Sequence, residues 1–244
     1  MKECSKSIAR RIRDADFLTR YFRGTGVDIG GKPDPLALYV ELFPLMTSVR
    51  TWDLEDGDAQ YLDGIPDGAL DFVHSSHCLE HLVDPRTGLH NWFRVLKPGG
   101  HLVVTVPDED LYEQGVFPST FNRDHKWTFT IHKRASWSPR SINVLELLAG
   151  LDDTAQVLRV QLLTAGFRES LPRFDQTLTP VGECGIEFVV RKRTTHEQAA
   201  LGRVPPMEQP PREIRLHLNQ YRDDHAALKA GNGARPPFEN DAEI

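Results

Sequence analysis

Gly26-Val27-Asp28-Ile29-Gly30-Gly31-Lys32-Pro33 reads as a short apolar strand that ends at an acid and runs into two adjacent glycines. Glycines at such a turn let the chain bend sharply and let a ligand approach the main chain closely. A nucleotide-like cofactor suits that arrangement. The spacing is not G-x-G-x-x-G, because Gly24 and Gly26 precede the strand and Lys32-Pro33 interrupt the turn after it, so a nicotinamide dinucleotide is disfavoured.

Working outward, further short apolar runs occupy 48–52, 70–75 and 101–106, separated by polar or helical stretches. That alternation predicts βαβ units and a doubly wound, mostly parallel sheet with helices on both faces. Between the third and fourth runs, residues 84–96 place Leu89, Trp92, Phe93 and Leu96 on one helical face, and Lys97-Pro98-Gly99-Gly100 ends the segment. Upstream, residues 8–22 carry apolar positions at helical spacing among arginines and predict an amphipathic helix covering the sheet. Downstream, helices are expected over 141–149 and 154–165, then a closing, antiparallel strand over 185–191.

The composition is compatible with one α/β domain and an appendage: 244 residues, 39% hydrophobic and 26% charged. A domain over 1–193 is expected, with a Pro-rich extension over 194–244 that holds at most one short helix near 214–228 and is a candidate for homo-oligomer contacts. No apolar run approaches the ~20 residues of a membrane span, and the first residues lack the apolar stretch of a signal peptide, so a cytoplasmic protein is expected. Cys4, Cys78 and Cys184 show no paired spacing, which argues against a disulfide framework or a cysteine-rich zinc site. A net charge of −6 disfavours a nucleic-acid backbone as partner and leaves a small molecule or glycan as the easier acceptor.

Gly57-Asp58-Ala59-Gln60-Tyr61-Leu62, then Ile65-Pro66-Asp67-Gly68-Ala69-Leu70-Asp71-Phe72-Val73, supply the next constellation. Read with VDIGG upstream and LEHL and LKPGGHLVVTVPD downstream, the order resembles that of class I S-adenosylmethionine-dependent methyltransferases over about 26–108. The resemblance implies a Rossmann-like methyltransferase fold and S-adenosylmethionine as cofactor. It also implies that Asp28, Gly30 and Gly31 border the methionine moiety, with Ser76 and His77 along the same side. Asp53 would take the ribose hydroxyls, with Glu55 or Asp56 as alternatives, while Asp58 and the Ala59 backbone would hold the adenine edge. S-adenosylmethionine carries a sulfonium, an ammonium and a diol but no phosphate, so acidic strand ends suit it. One departure stands out: four residues separate Asp53 from Asp58, where most relatives place a helix and a strand, so the sheet is expected to be shortened at its second and third strands.

The irregular stretch 108–140 is long enough to expect an acceptor-side role. His125 is the first candidate for a general base toward a hydroxyl acceptor, with Asp124 to orient it; His132 and Asp108 follow. Trp127, Phe129 and Phe117 are candidates to stack on the acceptor. His77-Cys78-Leu79-Glu80-His81 also matches H-x-x-E-H, which on a helix would bind zinc for hydrolysis, but no resident metal is expected because the stretch directly follows a strand. The sequence thus points to methyl transfer, to oxygen on a small molecule or a sugar; a non-catalytic, cofactor-binding subunit and a zinc hydrolase are the alternatives.

Overall fold

A computed structural model describes residues 3–200 together with 220, 222, 223 and 226. The chain separates into a first unit, Met1–Gly202, and a second, Arg203–Ile244. Apart from residues 220, 222, 223 and 226, the helix expected over 214–228 lies outside the described residues, as does most of the Pro-rich extension.

The first unit opens with α1 (Glu3–Arg11), breaks, and resumes as a wide turn at Phe17–Tyr21. The break replaces the single helix expected over 8–22. The break falls at Asp14, whose carboxylate accepts the Asp16 amide at 3.0 Å and pairs with Arg159 at 2.6 Å, a local side-chain bond that competes with helix continuation; Arg11, at the end of α1, is fully buried.

Strands β1 (Gly24–Ile29), β2 (Met46–Trp52), β3 (Leu70–Ser76) and β4 (Leu96–Pro107) pair in parallel. Between β3 and β4 runs α2 (Pro85–Arg94), capped by Asp84, whose carboxylate accepts from the Arg86 and Thr87 amides. Leu89, Trp92 and Phe93 of α2 are buried in the larger core with Val73, Leu102 and Val104. Trp92 also donates its ring N–H to the Ala59 carbonyl at 2.7 Å, which ties the 58–62 turn to this layer.

Beyond β4 lie β5 (Thr128–Thr130) and β6 (Ser141–Asn143), a separate parallel pair, followed by α3 (Val144–Ala149), β7 (Ala155–Leu163), β8 (Gly185–Lys192) and α4 (Thr195–Ala199). The six-stranded sheet has the order β2-β1-β3-β4-β8-β7, with β8 and β7 antiparallel to their neighbours. Two expected helices change here. The segment 141–149 spends its first residues in β6, and 154–165 is the edge strand β7. The alternative period in Gln156-Val157-Leu158-Arg159-Val160 wins because β8 offers an open ladder edge on which backbone groups pair along the whole segment. Between β2 and β3 the one helical element is the short turn Leu54–Asp56 and no strand intervenes; β2 is the sheet edge, and the sheet is shortened where the Asp53 to Asp58 spacing indicates.

Chain connections leave β1 toward β2 on one side and β3 toward β4 on the other. The crevice at the carboxyl ends of β1 and β3 is therefore a topological switch point, the usual ligand position in open α/β sheets.

Candidate active site

At that crevice two cavities meet. The first, about 230 Å³, is lined by Gly30 and Gly31 after β1, by Ser76 and His77 after β3, and by Asp28, His81 and His125 among others. The second, about 480 Å³, is lined by Trp52, Asp53, Asp58, Ala59, Cys78 and Leu82; Gly30 and His81 border both.

The glycine turn is built for close approach. Gly30 has φ +69°, and a Cβ there would lie 2.8 Å from the Cys78 Cβ; a Cβ on Gly31 would lie 2.3 Å from Asp28 Oδ2. Neither position accepts a larger side chain without displacing the Cys78 or Asp28 side chain.

Asp28 lines the first cavity, but both of its oxygens are already engaged. Oδ2 accepts the Leu36 amide at 2.7 Å, and Oδ1 accepts His74 Nδ1 at 2.6 Å. Arg11 donates to His74 Nε2 at 2.9 Å and to Glu187 Oε2 at 2.9 Å, and Arg10 donates to Glu187 Oε1 at 2.7 Å. Because a guanidinium only donates, His74 Nε2 is the acceptor and Nδ1 carries the proton. Burial also pushes the His74 imidazole below its usual range, which favours this neutral tautomer. Asp28 thus holds the shape of the turn through a buried relay.

On the other cavity, Asp53 caps the Leu54–Asp56 turn, taking the Leu54 amide on Oδ1 and the Lys32 amide on Oδ2 at 3.2 Å. It bridges the glycine turn and the end of β2. The alternatives are engaged elsewhere: Glu55 pairs with Lys32, and Asp56 accepts from Arg50 at 2.6 Å. Asp58 is exposed at the rim, where it caps its own turn through the Gln60 amide at 2.8 Å. Trp52, Ala59 and Leu82 supply apolar wall beside these acids. An apolar slot flanked by carboxylates and joined to a glycine cradle fits a cationic nucleoside without phosphate.

The segment expected on the acceptor side is strapped onto the turn after β3. The Lys126 amide donates to the Glu80 carbonyl at 2.9 Å, and Lys126 Nζ donates to the His81 carbonyl at 2.5 Å. Here the expected pairing of His125 with Asp124 is replaced. His125 Nδ1 donates to Glu113 Oε1 at 2.7 Å, while Asp124 Oδ2 takes His81 Nδ1 at 2.8 Å. The reason is direction: His125 points inward onto Tyr112 and Glu113, whereas Asp124 faces outward at the rim.

His132 is exposed and lines neither cavity. Asp108 is also outside them, accepting the Asp110 and Leu111 amides, with burial pushing its carboxyl up to about 6. Trp127 donates to the Leu82 carbonyl, with Arg140 over its ring, and Phe129 is buried in the core; both pack the scaffold. Phe117 lines neither cavity.

Glu80 is fully buried, and neither carboxylate oxygen has a hydrogen-bond partner among the described residues. Imidazole nitrogens of His77, His125 and His81 stand at 3.5, 3.8 and 3.9 Å from Oε1. Burial raises this carboxyl, and the three imidazoles more than offset it. The H-x-x-E-H stretch is not helical: His77 has φ +54° and Leu79–His81 is one tight turn, so its histidines do not share a helix face. Sequence reasoning assigned no role to Glu113, His74, Arg11 or Glu187. Glu187 was the readable one, since a lone acid inside the apolar IEFVV run requires a buried partner.

Comparison with known proteins agrees with this architecture. The family model of a methyltransferase domain matches residues 16–104. An S-adenosylmethionine-dependent methyltransferase from Archaeoglobus fulgidus superposes with a TM-score of 0.50 at 17% identity, covering 79% of this chain and 95% of that one, and shares the fold. An O-methyltransferase family protein from Burkholderia thailandensis gives 0.46 at 13% identity, covering 77% and 55%. A structure from Haloferax volcanii, of a methyltransferase with the Trm112 methyltransferase activator, gives 0.45 at 15% identity, covering 78% and 92%. No curated protein matches the chain significantly. Residues 16–104, which hold the glycine turn, the acids of the second cavity and the turn after β3, match the family model of a methyltransferase domain, and S-adenosylmethionine is the cofactor that this match indicates.

Proposed function

We propose that this methyltransferase acts on a hydroxyl of a small molecule or of a sugar in a glycan or nucleotide-linked precursor. When bound, S-adenosylmethionine supplies a methyl group on a sulfonium, already a good leaving group, so the chain's own task is alignment, exclusion of water and handling of the acceptor's proton. Asp53 and Asp58 are assigned to the ribose and adenine ends, Gly30 and Gly31 to the close main-chain approach, and Ser76 and His77 to the methionine side. Asp28 acts one step back, by fixing the turn. One observation carries the acceptor assignment. Glu113 holds the Nδ1–H of His125, which leaves the Nε2 lone pair as the proton-accepting atom of a buried imidazole in the first cavity's wall. An imidazolium formed there is stabilised by Glu113 at 2.7 Å. The net charge of −6 favours a neutral or weakly cationic acceptor over nucleic acid.

Calorimetric titration with S-adenosylmethionine and S-adenosylhomocysteine tests the assignment. Saturable binding is expected, weakened about tenfold, or ~1.4 kcal/mol, by Asp53→Ala and by Asp58→Ala. Methyl transfer to sugar or phenolic hydroxyls should then collapse in His125→Ala with cofactor affinity retained. Binding without turnover on any hydroxyl acceptor would instead assign the chain to a partner-subunit role.

A further inference from the structure

Glu80, His81 and His125 each present one ligand atom, and these atoms lie within 4.8 Å of one another. Three features separate this cluster from an ordinary hydrogen-bonded group. The carboxylate is buried with both oxygens unpartnered among the described residues. Its distances to His125 Nε2 and His81 Nε2, 3.8 and 3.9 Å, are too long for hydrogen bonds. They are close to the edges of a coordination polyhedron, roughly 3.0–3.5 Å for bonds of ~2.1 Å. Finally, each imidazole has its far nitrogen held by another carboxylate: Glu113 on His125 Nδ1 at 2.7 Å and Asp124 on His81 Nδ1 at 2.8 Å. That pattern fixes both rings in the tautomer whose Nε2 lone pair faces Glu80, as in carboxylate–histidine–metal triads.

We propose that Glu80, His81 and His125 bind one divalent first-row transition ion, with Asp124 and Glu113 as the positioning residues behind the histidines. Two imidazoles and one carboxylate suit zinc, manganese or iron(II) and leave coordination positions open. Both histidines line the first cavity, so those positions are available to water or to the acceptor's oxygen. The site is not the helical H-x-x-E-H arrangement. His77 stays outside the ligand set, and His125 comes from the acceptor-side strap.

The proposal rests on the methyl-transfer reading for its purpose and deepens it. With the ion in place, His125 Nε2 is a ligand instead of the base. An ion held there would supply Lewis-acid polarisation of an acceptor hydroxyl, easing loss of its proton to a cavity water before the oxygen takes the methyl group and the sulfonium leaves as the neutral thioether.

The test uses the full chain, stripped with a chelator, dialysed and checked for folding by circular dichroism. Titration with Zn²⁺ should give one saturable equivalent per chain, and Co²⁺ in its place should develop ligand-field absorption in the visible. Both signals should vanish in Glu80→Gln and in His81→Phe, whose side chain is partly exposed and tolerates change. They should weaken 10- to 100-fold in Asp124→Asn and persist in His77→Ala. Absence of saturable binding by the folded wild type, or binding that survives both Glu80→Gln and His81→Phe, overturns the proposal. Parallel titration with S-adenosylmethionine separates the two readings: cofactor binding without ion binding rejects the metal site alone and returns His125 to the role of base. Ion binding without cofactor binding rejects the methyl-transfer reading and leaves the site standing.

Discussion

Two buried charged clusters lie near the carboxyl ends of the central strands, and they are finished differently. In the relay Arg11–Glu187–His74–Asp28, every polar atom of the four side chains has a partner, down to the Leu36 amide on Asp28. In the cluster around Glu80, the carboxylate has none among the described residues, and the imidazoles stand just beyond hydrogen-bond reach. A closed network specifies a shape and has no bonding capacity left over, whereas an open one retains capacity for something that arrives later. The first therefore belongs to the scaffold and the second to the chemistry.

The largest expected effect comes from opening the closed network. Arg11→Met leaves Glu187 with Arg10 as its one cation and His74 Nε2 without its donor, and should lower unfolding free energy by about 3 kcal/mol in urea titration. A loss below ~1 kcal/mol would mean that the relay does not brace the scaffold.

His101 sharpens the comparison, because its Nε2 is also buried without a partner among the described residues, yet it lines a different cleft with Arg20, Arg23 and Arg191. Burial, aided by Arg191 and Arg20, pushes its imidazole down to about 4. In the unfolded chain the group titrates near ~6.5, so between those values the unfolded state binds the proton and the native state does not. The group is without cost above pH ~6.5, and stability falls as pH drops toward 4, by about 2 kcal/mol at pH 5. His101→Phe should remove that part of the acid sensitivity; equal urea midpoint shifts between pH 7 and 5 in variant and wild type would refute the assignment. A single unpartnered imidazole is thus a stability liability, and convergence of several ligand-type groups is what distinguishes the Glu80 cluster.

The smallest effect is expected at Glu80 itself. Glu80→Gln removes both the desolvation cost of the carboxylate and its larger attraction to the three imidazoles, so stability should fall by no more than ~1 kcal/mol while methyl transfer is lost. A destabilisation comparable to that of Arg11→Met would place Glu80 in the scaffold with the relay.

Much of the scaffold was legible in the residues. The strands β1 to β4, helix α2 and the glycine turn follow from local patterns that tertiary packing reinforces, and the shortened edge after Asp53 from the resemblance. Strand β7 was not legible, since its apolar residues satisfy a helical period as well as an extended one and only the open edge of β8 decides between them. Within the site, the residue types near the crevice were readable but their pairing was not. Asp124 is adjacent to His125 in sequence, yet the chain direction turns them apart and brings Glu113 in from an earlier turn. Arg11 escaped because an arginine on an amphipathic helix ordinarily faces solvent.

The strap joining Lys126 and Asp124 to the Glu80-His81 turn has a consequence for retargeting this protein to new acceptors. Residues 122–127 serve two masters, so a change there that reshapes the acceptor pocket also disturbs the wall shared with the cofactor cleft. Positions such as Val116, Pro118 and Thr120 on the preceding loop are exposed and line neither cavity wall. Laboratory evolution of altered selectivity should therefore accumulate its tolerated substitutions on that loop before touching the strap.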